Sequence, residues 1–282
     1  MNRTARAAMA QETLAIVEQG RYDLGDGKIV SIADEVRSCV DGTELLRPDD
    51  LARIQDEVLS QPGQSGGVAI EVVNETTLAG VSRLLLDQSA PVAALNFASA
   101  KNPGGGFLSG SQAQEESLAR SSALHASLMN AWDFYEQHRQ GSSSLYSDSM
   151  IWSPGCPVFR DDAGTLLDRI QLATFITAAA PNAGAVKANE PENEDRIPGV
   201  LAGRAEYVLA LASSRGYRRL VLGAWGCGVF RNDPQTVADV FMTLLGSPRW
   251  ANRFSRVVFS ILDPSPDQHL IKVFKAAAVR GR

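Results

Sequence analysis

Short apolar runs that alternate with helical segments constrain the fold of this chain more than any other feature of its sequence. Runs typical of buried strands occupy residues 68–73, 92–97, 172–178, 220–224 and 257–262. Patterns typical of helices occupy residues 77–88, 204–215 and 234–245. Strands that alternate with helices form largely parallel sheets with both faces covered. The sequence therefore predicts an α/β fold, a three-layer α/β/α sandwich around a mixed, largely parallel sheet.

The first part of the chain predicts an N-terminal helical appendage to this sandwich. Helical patterns cover residues 4–19 and 48–59, and glycines after residue 19 are predicted to end the first helix. The stretch 61–67 is rich in Gly and is typical of a linker or long turn. We therefore predict an N-terminal helical accessory region, residues 1–62, and a catalytic domain, residues 63–282. Residues 185–198 are predicted to form a mobile surface loop.

The charge balance and the cysteines limit the partners that the chain can bind. It has 27 Lys and Arg residues against 32 Asp and Glu residues, a formal net charge of -5. We therefore expect no direct nucleic-acid binding along a phosphate backbone. Cys39, Cys156 and Cys227 lack C-x-x-C spacing, so we expect reduced thiols, a cytoplasmic location and no zinc site. No apolar run reaches the about 20 residues of a membrane span, and no signal-like N-terminus is present, so no membrane partner is expected.

A glycine-rich loop followed by two acids indicates a catalytic site. Gly104, Gly105 and Gly106 follow the strand at 92–97, and seven residues later come Gln114, Glu115 and Glu116 at the mouth of a predicted helix. Glycines let backbone N–H groups approach a phosphate or sugar, and a carboxyl group can supply acid–base chemistry. A flexible turn followed by a solvated pair of Glu residues is the alternative.

A second glycine-rich loop follows the strand at 220–224. Its backbone amides are predicted to bind phosphates at the carboxyl edge of the sheet. Phe230 is predicted to pack against the bound ligand, or else to anchor the loop. Cys227 is not expected to be a nucleophile, since no His is spaced to pair with it. The candidate ligand-binding residues of this loop are Gly223, Ala224, Trp225, Gly226, Cys227, Gly228, Val229 and Phe230.

Three stretches together resemble one enzyme family. The pattern G-G-G, seven residues, Q-E-E at 104–116, with the stretches 95–102 and 223–232, is similar to the bacterial-type poly(ADP-ribose) glycohydrolases, which are macrodomain enzymes. The resemblance implies that poly(ADP-ribose) and ADP-ribosylated proteins are the partners, that ADP-ribose is the product and that no cofactor or metal is needed. It also implies that Glu116 is the catalytic residue, that Glu115 holds a ribose hydroxyl and that Asn102 contacts the terminal ribose.

The positions of the two acids limit the mechanism that the resemblance implies. Adjacent residues in a first helical turn project about 100° apart, so they cannot readily flank a scissile bond, and one Glu should act as both acid and base. A helix N-terminus stabilises an ionised carboxylate and so lowers its pKa, whereas a general acid must be protonated. We therefore expect burial and an incoming diphosphate to keep Glu116 protonated.

Three functions remain open at this point. The leading hypothesis is a glycohydrolase that cleaves the ribose–ribose bonds of poly(ADP-ribose), and the resemblance and the acidic balance favour exo action. The second is a hydrolase that removes mono-ADP-ribosyl groups from other targets. The third is a macrodomain that binds ADP-ribose without cleaving it, against which the presence of both Glu115 and Glu116 argues.

Overall fold

The computed structural model describes residues 1–25, 27–62, 67–86, 90–250 and 252–280. The strands are β1 (Arg21–Asp23), β2 (Ile29–Ser31), β3 (Glu44–Leu46), β4 (Ala69–Val73), β5 (Ala93–Phe97), β6 (Met150–Arg160), β7 (Leu166–Ala178), β8 (Arg219–Leu222) and β9 (Arg256–Ser260). The helices are α1 (Arg3–Gln19), α2 (Ala33–Asp41), α3 (Pro48–Ser60), α4 (Thr77–Leu85), α5 (Gln114–Ser121), α6 (Leu124–Asn130), α7 (Trp132–Gln140), α8 (Ala183–Asn189), α9 (Ile197–Ser214), α10 (Pro234–Gly246) and α11 (His269–Arg280). Short 3-10 helices cover Phe107–Ser109 and Pro191–Arg196.

A seven-stranded mixed sheet forms the centre of the molecule. Its order is β3-β6-β7-β5-β8-β9-β4. Neighbouring strands from β7 to β4 are parallel, whereas β6 is antiparallel to both β3 and β7. The separate pair β1 and β2 is antiparallel. The prediction of a mixed, largely parallel sheet is therefore confirmed.

Helices cover both faces of this sheet. Successive residues of β5 belong to two different hydrophobic clusters: Ala93 and Leu95 pack with α3, α9, α10 and α11, whereas Ala94 packs with α2, α4, α5, α6 and α7. Because side chains alternate between the faces of a strand, β5 is buried on both sides. This arrangement is the predicted three-layer α/β/α sandwich. Within the described residues, no helix is long and apolar enough to cross a membrane.

The first 62 residues contain the predicted helices and also contribute to the sheet. Helix α1 ends at Gly20, whose left-handed φ of 65° suits glycine. The helix packs against α5 and the turn Phe107–Ser109. Strand β3 pairs with β6 at the edge of the sheet. The division between residues 62 and 63 stays a prediction, and residues 63–66 of the predicted linker lie outside the described part of the chain.

The segment 185–198 is helical, and the prediction of a mobile loop there is wrong. Asn182 caps α8 by accepting a hydrogen bond from Ala185 N at 3.0 Å. The Glu190 carboxylate then accepts from Ser143 Oγ and Ser144 N, both at 2.6 Å. Polar residues that suggested a solvated loop are therefore the caps and crosslinks of a folded segment.

Candidate active site

The site begins where two central strands separate. β5 pairs with β8 at Ala93 and Ala94 but stays paired with β7 as far as Phe97. Beyond that point the Gln114 side chain replaces a neighbouring strand. Phe97 N donates to Gln114 Oε1 at 2.9 Å, and Gln114 Nε2 donates to Leu95 O at 2.8 Å. The resulting crevice lies at the carboxyl ends of the strands, where open α/β sheets bind ligands.

A cavity of about 1210 Å³ opens at this crevice. It brings together most of the residues predicted from the two glycine-rich loops, and the prediction that both loops meet at one sheet edge is confirmed. Gly104 and Gly223 lie outside the lining. The predicted residues that line the cavity are Asn102, Gly105, Gly106, Gln114, Glu115, Glu116 and residues 224–230.

The first loop depends on glycine at two positions. Gly104 and Gly105 have φ values of 69° and 60°, which are left-handed conformations that disfavour other residues. A Cβ atom at Gly105 would overlap Glu116 Oε1, and a Cβ atom at Gly104 would lie 2.9 Å from the buried Phe107 ring. The loop therefore passes directly over the Glu116 carboxyl group.

Glu115 is the buried member of the acid pair. Its side chain is 3% exposed. One carboxyl oxygen accepts from Ser99 N at 2.7 Å, and the other accepts from Asn96 Nδ2 at 3.2 Å. Burial raises the pKa of Glu115 to about 8, against the opposing effect of these hydrogen bonds. At neutral pH Glu115 is therefore mostly a neutral carboxylic acid, which can donate a hydrogen bond as well as accept one.

Glu116 is half-buried and faces the cavity. Its Oε1 accepts a hydrogen bond from Gly106 N at 3.0 Å. The hypothesis that burial and an incoming diphosphate keep Glu116 protonated stays a prediction, and the more deeply buried of the two acids is Glu115. Two neighbouring residues of one helical turn therefore have different surroundings, one enclosed by β5 and the other open to a ligand.

Asn102 and Asn96 lie at different depths. Asn102 is exposed and lines the cavity, and its carbonyl oxygen accepts from Gly105 N at 2.9 Å. Its side-chain amide is therefore available to a ligand. Asn96 is fully buried and donates to Glu115 Oε1 and to Thr177 Oγ1 at 3.1 Å. The sequence left open whether Asn96 contacts the site, and the structure places it beneath Glu115.

The second loop buries the side chain of its tryptophan and makes a left-handed turn at a glycine. The Trp225 indole is buried and donates to Ala178 O at 3.1 Å. Gly226 has a φ of 72°, and a Cβ atom there would contact Asn232 Nδ2 and Ala180. Burial raises the pKa of the Cys227 thiol to about 12, so the thiol is not ionised near neutral pH and is a poor nucleophile.

The end of this loop combines an exposed and a packed apolar residue. Val229 is 80% exposed at the cavity rim. The Phe230 ring packs against Tyr146, with the ring centroids 5.9 Å apart. Phe230 therefore anchors the loop on one side while it lines the cavity on the other.

Several residues that shape the site were not predicted from the sequence. Ser99 supplies the backbone N–H that holds Glu115, and its position in the stretch 95–102 was the available signal. Arg6 and Arg120 also line the cavity; Arg6 is distant from both glycine-rich loops in sequence, whereas Arg120 follows Glu116 by one helical turn. Among the residues that the structure describes, no group of three His, Cys, Asp or Glu side chains could hold a metal ion.

The site thus combines two adjacent acids, one buried and one half-buried, with two glycine-rich loops at one edge of a mixed α/β/α sheet. Residues 10–161 match the family described as microbial-type PARG, catalytic domain, where PARG stands for poly(ADP-ribose) glycohydrolase. The comparison with curated proteins found no match. The chain belongs to the microbial-type poly(ADP-ribose) glycohydrolases, and it is an enzyme of that family.

Solved structures agree with this assignment. The chain is 49% identical to the poly(ADP-ribose) glycohydrolase of Thermomonospora curvata, with a TM-score of 0.93, over 98% of this chain and 100% of that one. The same enzyme bound to the inhibitor ADP-HPD gives 49% identity and a TM-score of 0.89 over 97% and 99% of the two chains. The Deinococcus radiodurans enzyme in complex with ADP-ribose gives 44% identity and a TM-score of 0.81 over 86% and 96%.

Proposed function

We propose that this enzyme cleaves the ribose–ribose bonds of poly(ADP-ribose) and releases ADP-ribose, with Glu116 as its single acid–base residue. The different surroundings of Glu115 and Glu116 are the observation that carries the proposal. Glu116 is open to the cavity, so its carboxyl group can reach a substrate, whereas Glu115 is enclosed by Asn96 and Ser99. One acid is therefore free to exchange protons, and the other is suited to orienting a sugar.

The reaction then follows the general course of glycoside hydrolysis. Glu116 protonates the leaving ribose oxygen as the bond to the anomeric carbon breaks, and positive charge develops on the terminal ribose. The Glu116 carboxylate then takes a proton from the water that adds to this carbon, which restores the acid. The neutral Glu115 holds a ribose hydroxyl, and the side-chain amide of the exposed Asn102 contacts the same sugar.

Residues 223–230 are proposed to hold the diphosphate through backbone N–H groups. The exposed backbone at Gly228 and the turn at Gly226 support this role. The diphosphate would lie close to the developing positive charge and would favour the protonated form of Glu116 before the reaction.

Exo action is proposed because the chain, with a net charge of -5, is poorly suited to hold a long polyanion. A cytoplasmic location is also proposed, supported by the three free thiols Cys39, Cys156 and Cys227.

The test compares the wild type with Glu116→Gln on poly(ADP-ribose) and on a mono-ADP-ribosylated protein. Loss of a positioned general acid should lower kcat by about 10² to 10⁴, while ADP-ribose still binds in calorimetry. Glu57→Gln, on the exposed face of α3, is the matched control and should keep full activity. Release of ADP-ribose from the mono-modified protein alone would indicate the other hydrolase. Full activity of Glu116→Gln would refute the assignment of the acid.

A further inference from the structure

The cavity has a second wall that the proposed function does not use. Met1 and two residues of helix α1, Arg6 and Met9, contribute to this wall, and α5 contributes Arg120. The loop at 223–230 packs instead near α8, where Gly184 N donates to Phe230 O at 3.0 Å. The two walls are thus built from different elements, and α5, which carries Glu116, borders the cavity between them.

The two arginines of this wall are close to each other and to the acid. Arg120 lies one helical turn after Glu116 on α5. Burial and the charge of Arg6 lower the pKa of the Arg120 guanidinium, and the charge of Glu116 opposes them. Arg6 Nε and Arg120 Nη1 donate to the carbonyl oxygens of two adjacent residues, Gly110 and Ser111, so the two cations lie close together beside the start of α5.

The hydrogen bonds of this pair go to uncharged groups. Arg6 donates from Nε to Gly110 O at 2.8 Å and from Nη1 to Met1 O at 2.7 Å. Arg120 is 4% exposed and donates from Nη1 to Ser111 O at 2.7 Å. In the described chain, no carboxylate forms an ion pair with either arginine.

The acids near this wall form hydrogen bonds with residues other than the two arginines. Asp161 and Asp162, which also line the cavity, accept hydrogen bonds from Thr165 N at 2.7 Å and Thr76 Oγ1 at 2.5 Å. A buried cation without an ionic partner is costly. An anionic group of a ligand would compensate it.

We propose that Arg6 and Arg120 form a second anion subsite, which holds the diphosphate of the ADP-ribose unit on the leaving side of the scissile bond. The proposal rests on the proposed function. Each unit of the polymer carries one diphosphate, so the departing unit brings two negative charges close to the bond that Glu116 cleaves. Arg6 supplies directed donors because its Nη2 donates to no described residue, and Arg120 supplies buried charge.

The experiment measures kcat/KM of Arg6→Ala on two substrates. One is poly(ADP-ribose), and the other is an ADP-ribose aryl glycoside, whose leaving phenol carries no phosphate. Loss of a charge-assisted hydrogen bond should lower kcat/KM on the polymer by about 10-fold or more. The value on the aryl glycoside should stay unchanged. Arg6→Lys, which keeps the charge, should restore part of the polymer activity, and added salt should reduce the difference between the variants.

Arg3→Ala is the matched control. Arg3 lies in the same helical turn and donates from Nε to Ser109 O at 2.9 Å, but it does not line the cavity. It therefore reports the cost of loosening the turn Phe107–Ser109 without removing the cationic pair, and both substrates should be cleaved as by the wild type.

The outcomes separate this proposal from the proposed function. Equal loss on both substrates with Arg6→Ala, or no loss on the polymer, would overturn the subsite. A wild-type enzyme that cleaves neither substrate would instead refute the proposed function.

Discussion

Replacement of Gly105 by alanine should move the Glu116 carboxyl group without changing any chemical group of the site. The residue has a φ of 60°, and a new Cβ atom would overlap Glu116 Oε1. The same oxygen accepts the hydrogen bond from Gly106 N at 3.0 Å. Glu116 must therefore shift, or the glycine loop must move away from it.

The expected effect of Gly105→Ala has two parts, a loss of stability and a loss of rate. The left-handed conformation costs an alanine about 1–2 kcal/mol, which should appear as lower stability. Displacement of a catalytic group by about 1 Å can lower the rate by about 10²-fold. We therefore expect Gly105→Ala to lose about 1–2 kcal/mol of unfolding free energy and about 10²-fold in kcat.

The variant Gly216→Ala isolates the loss of stability. Gly216 has a φ of 78°, and a Cβ atom there would meet no neighbouring atom within 4 Å. The residue follows α9 and lies away from the cavity. Urea unfolding should show similar losses for the two variants, whereas poly(ADP-ribose) turnover should fall for Gly105→Ala alone. Undiminished kcat in Gly105→Ala, at temperatures where it is folded, would refute the claim that this contact positions Glu116.

Two further variants test the interior of the site. Glu115→Gln should gain stability relative to the wild type as the pH rises. The folded-state pKa of Glu115, about 8, exceeds the usual 4.5. The wild type therefore loses stability as the pH rises between these two pKa values, by at most about 5 kcal/mol. Urea unfolding of both proteins at about pH 5 and about pH 9 measures the loss, and a difference in unfolding free energy that stays the same at both pH values would contradict it. Gln114→Glu should cost about 1–3 kcal/mol, since a carboxylate oxygen would face Leu95 O in place of the Nε2 donor; calorimetric unfolding that matches the wild type would show that Gln114 does not hold the end of β5.

The central strands could be predicted from the sequence because they are continuous apolar runs. β4 and β5 lie within predicted runs, whereas β8 and β9 overlap their runs but begin one residue earlier. β6 was missed because Pro154, Gly155 and Pro157 suggest a break. Pro154 and Gly155 lie at a register shift between Ser153 and Cys156, and Pro157 stays paired with Leu172. β1, β2 and β3 have three residues each, too few for a periodic signal.

The loop at 104–116 could be predicted because its glycines and acids lie close together in the sequence. The relative depth of Glu115 and Glu116 could not be predicted, because it depends on Asn96 and Ser99 from β5 and the loop that follows it. The place of Arg6 in the cavity wall could not be predicted either. Helix α1 reaches the cavity because it packs on α5. Local sequence patterns do not predict such tertiary packing.

The Gln114 bridge has a consequence for how tightly a nucleotide can be held. Its amide donates to Leu95 O and to Thr77 Oγ1 at 3.1 Å and accepts from Phe97 N. These bonds hold the end of β5, where it has separated from β8, before any ligand arrives. Little free energy is then spent on reshaping the protein during association, so more of the contact energy is expressed as affinity.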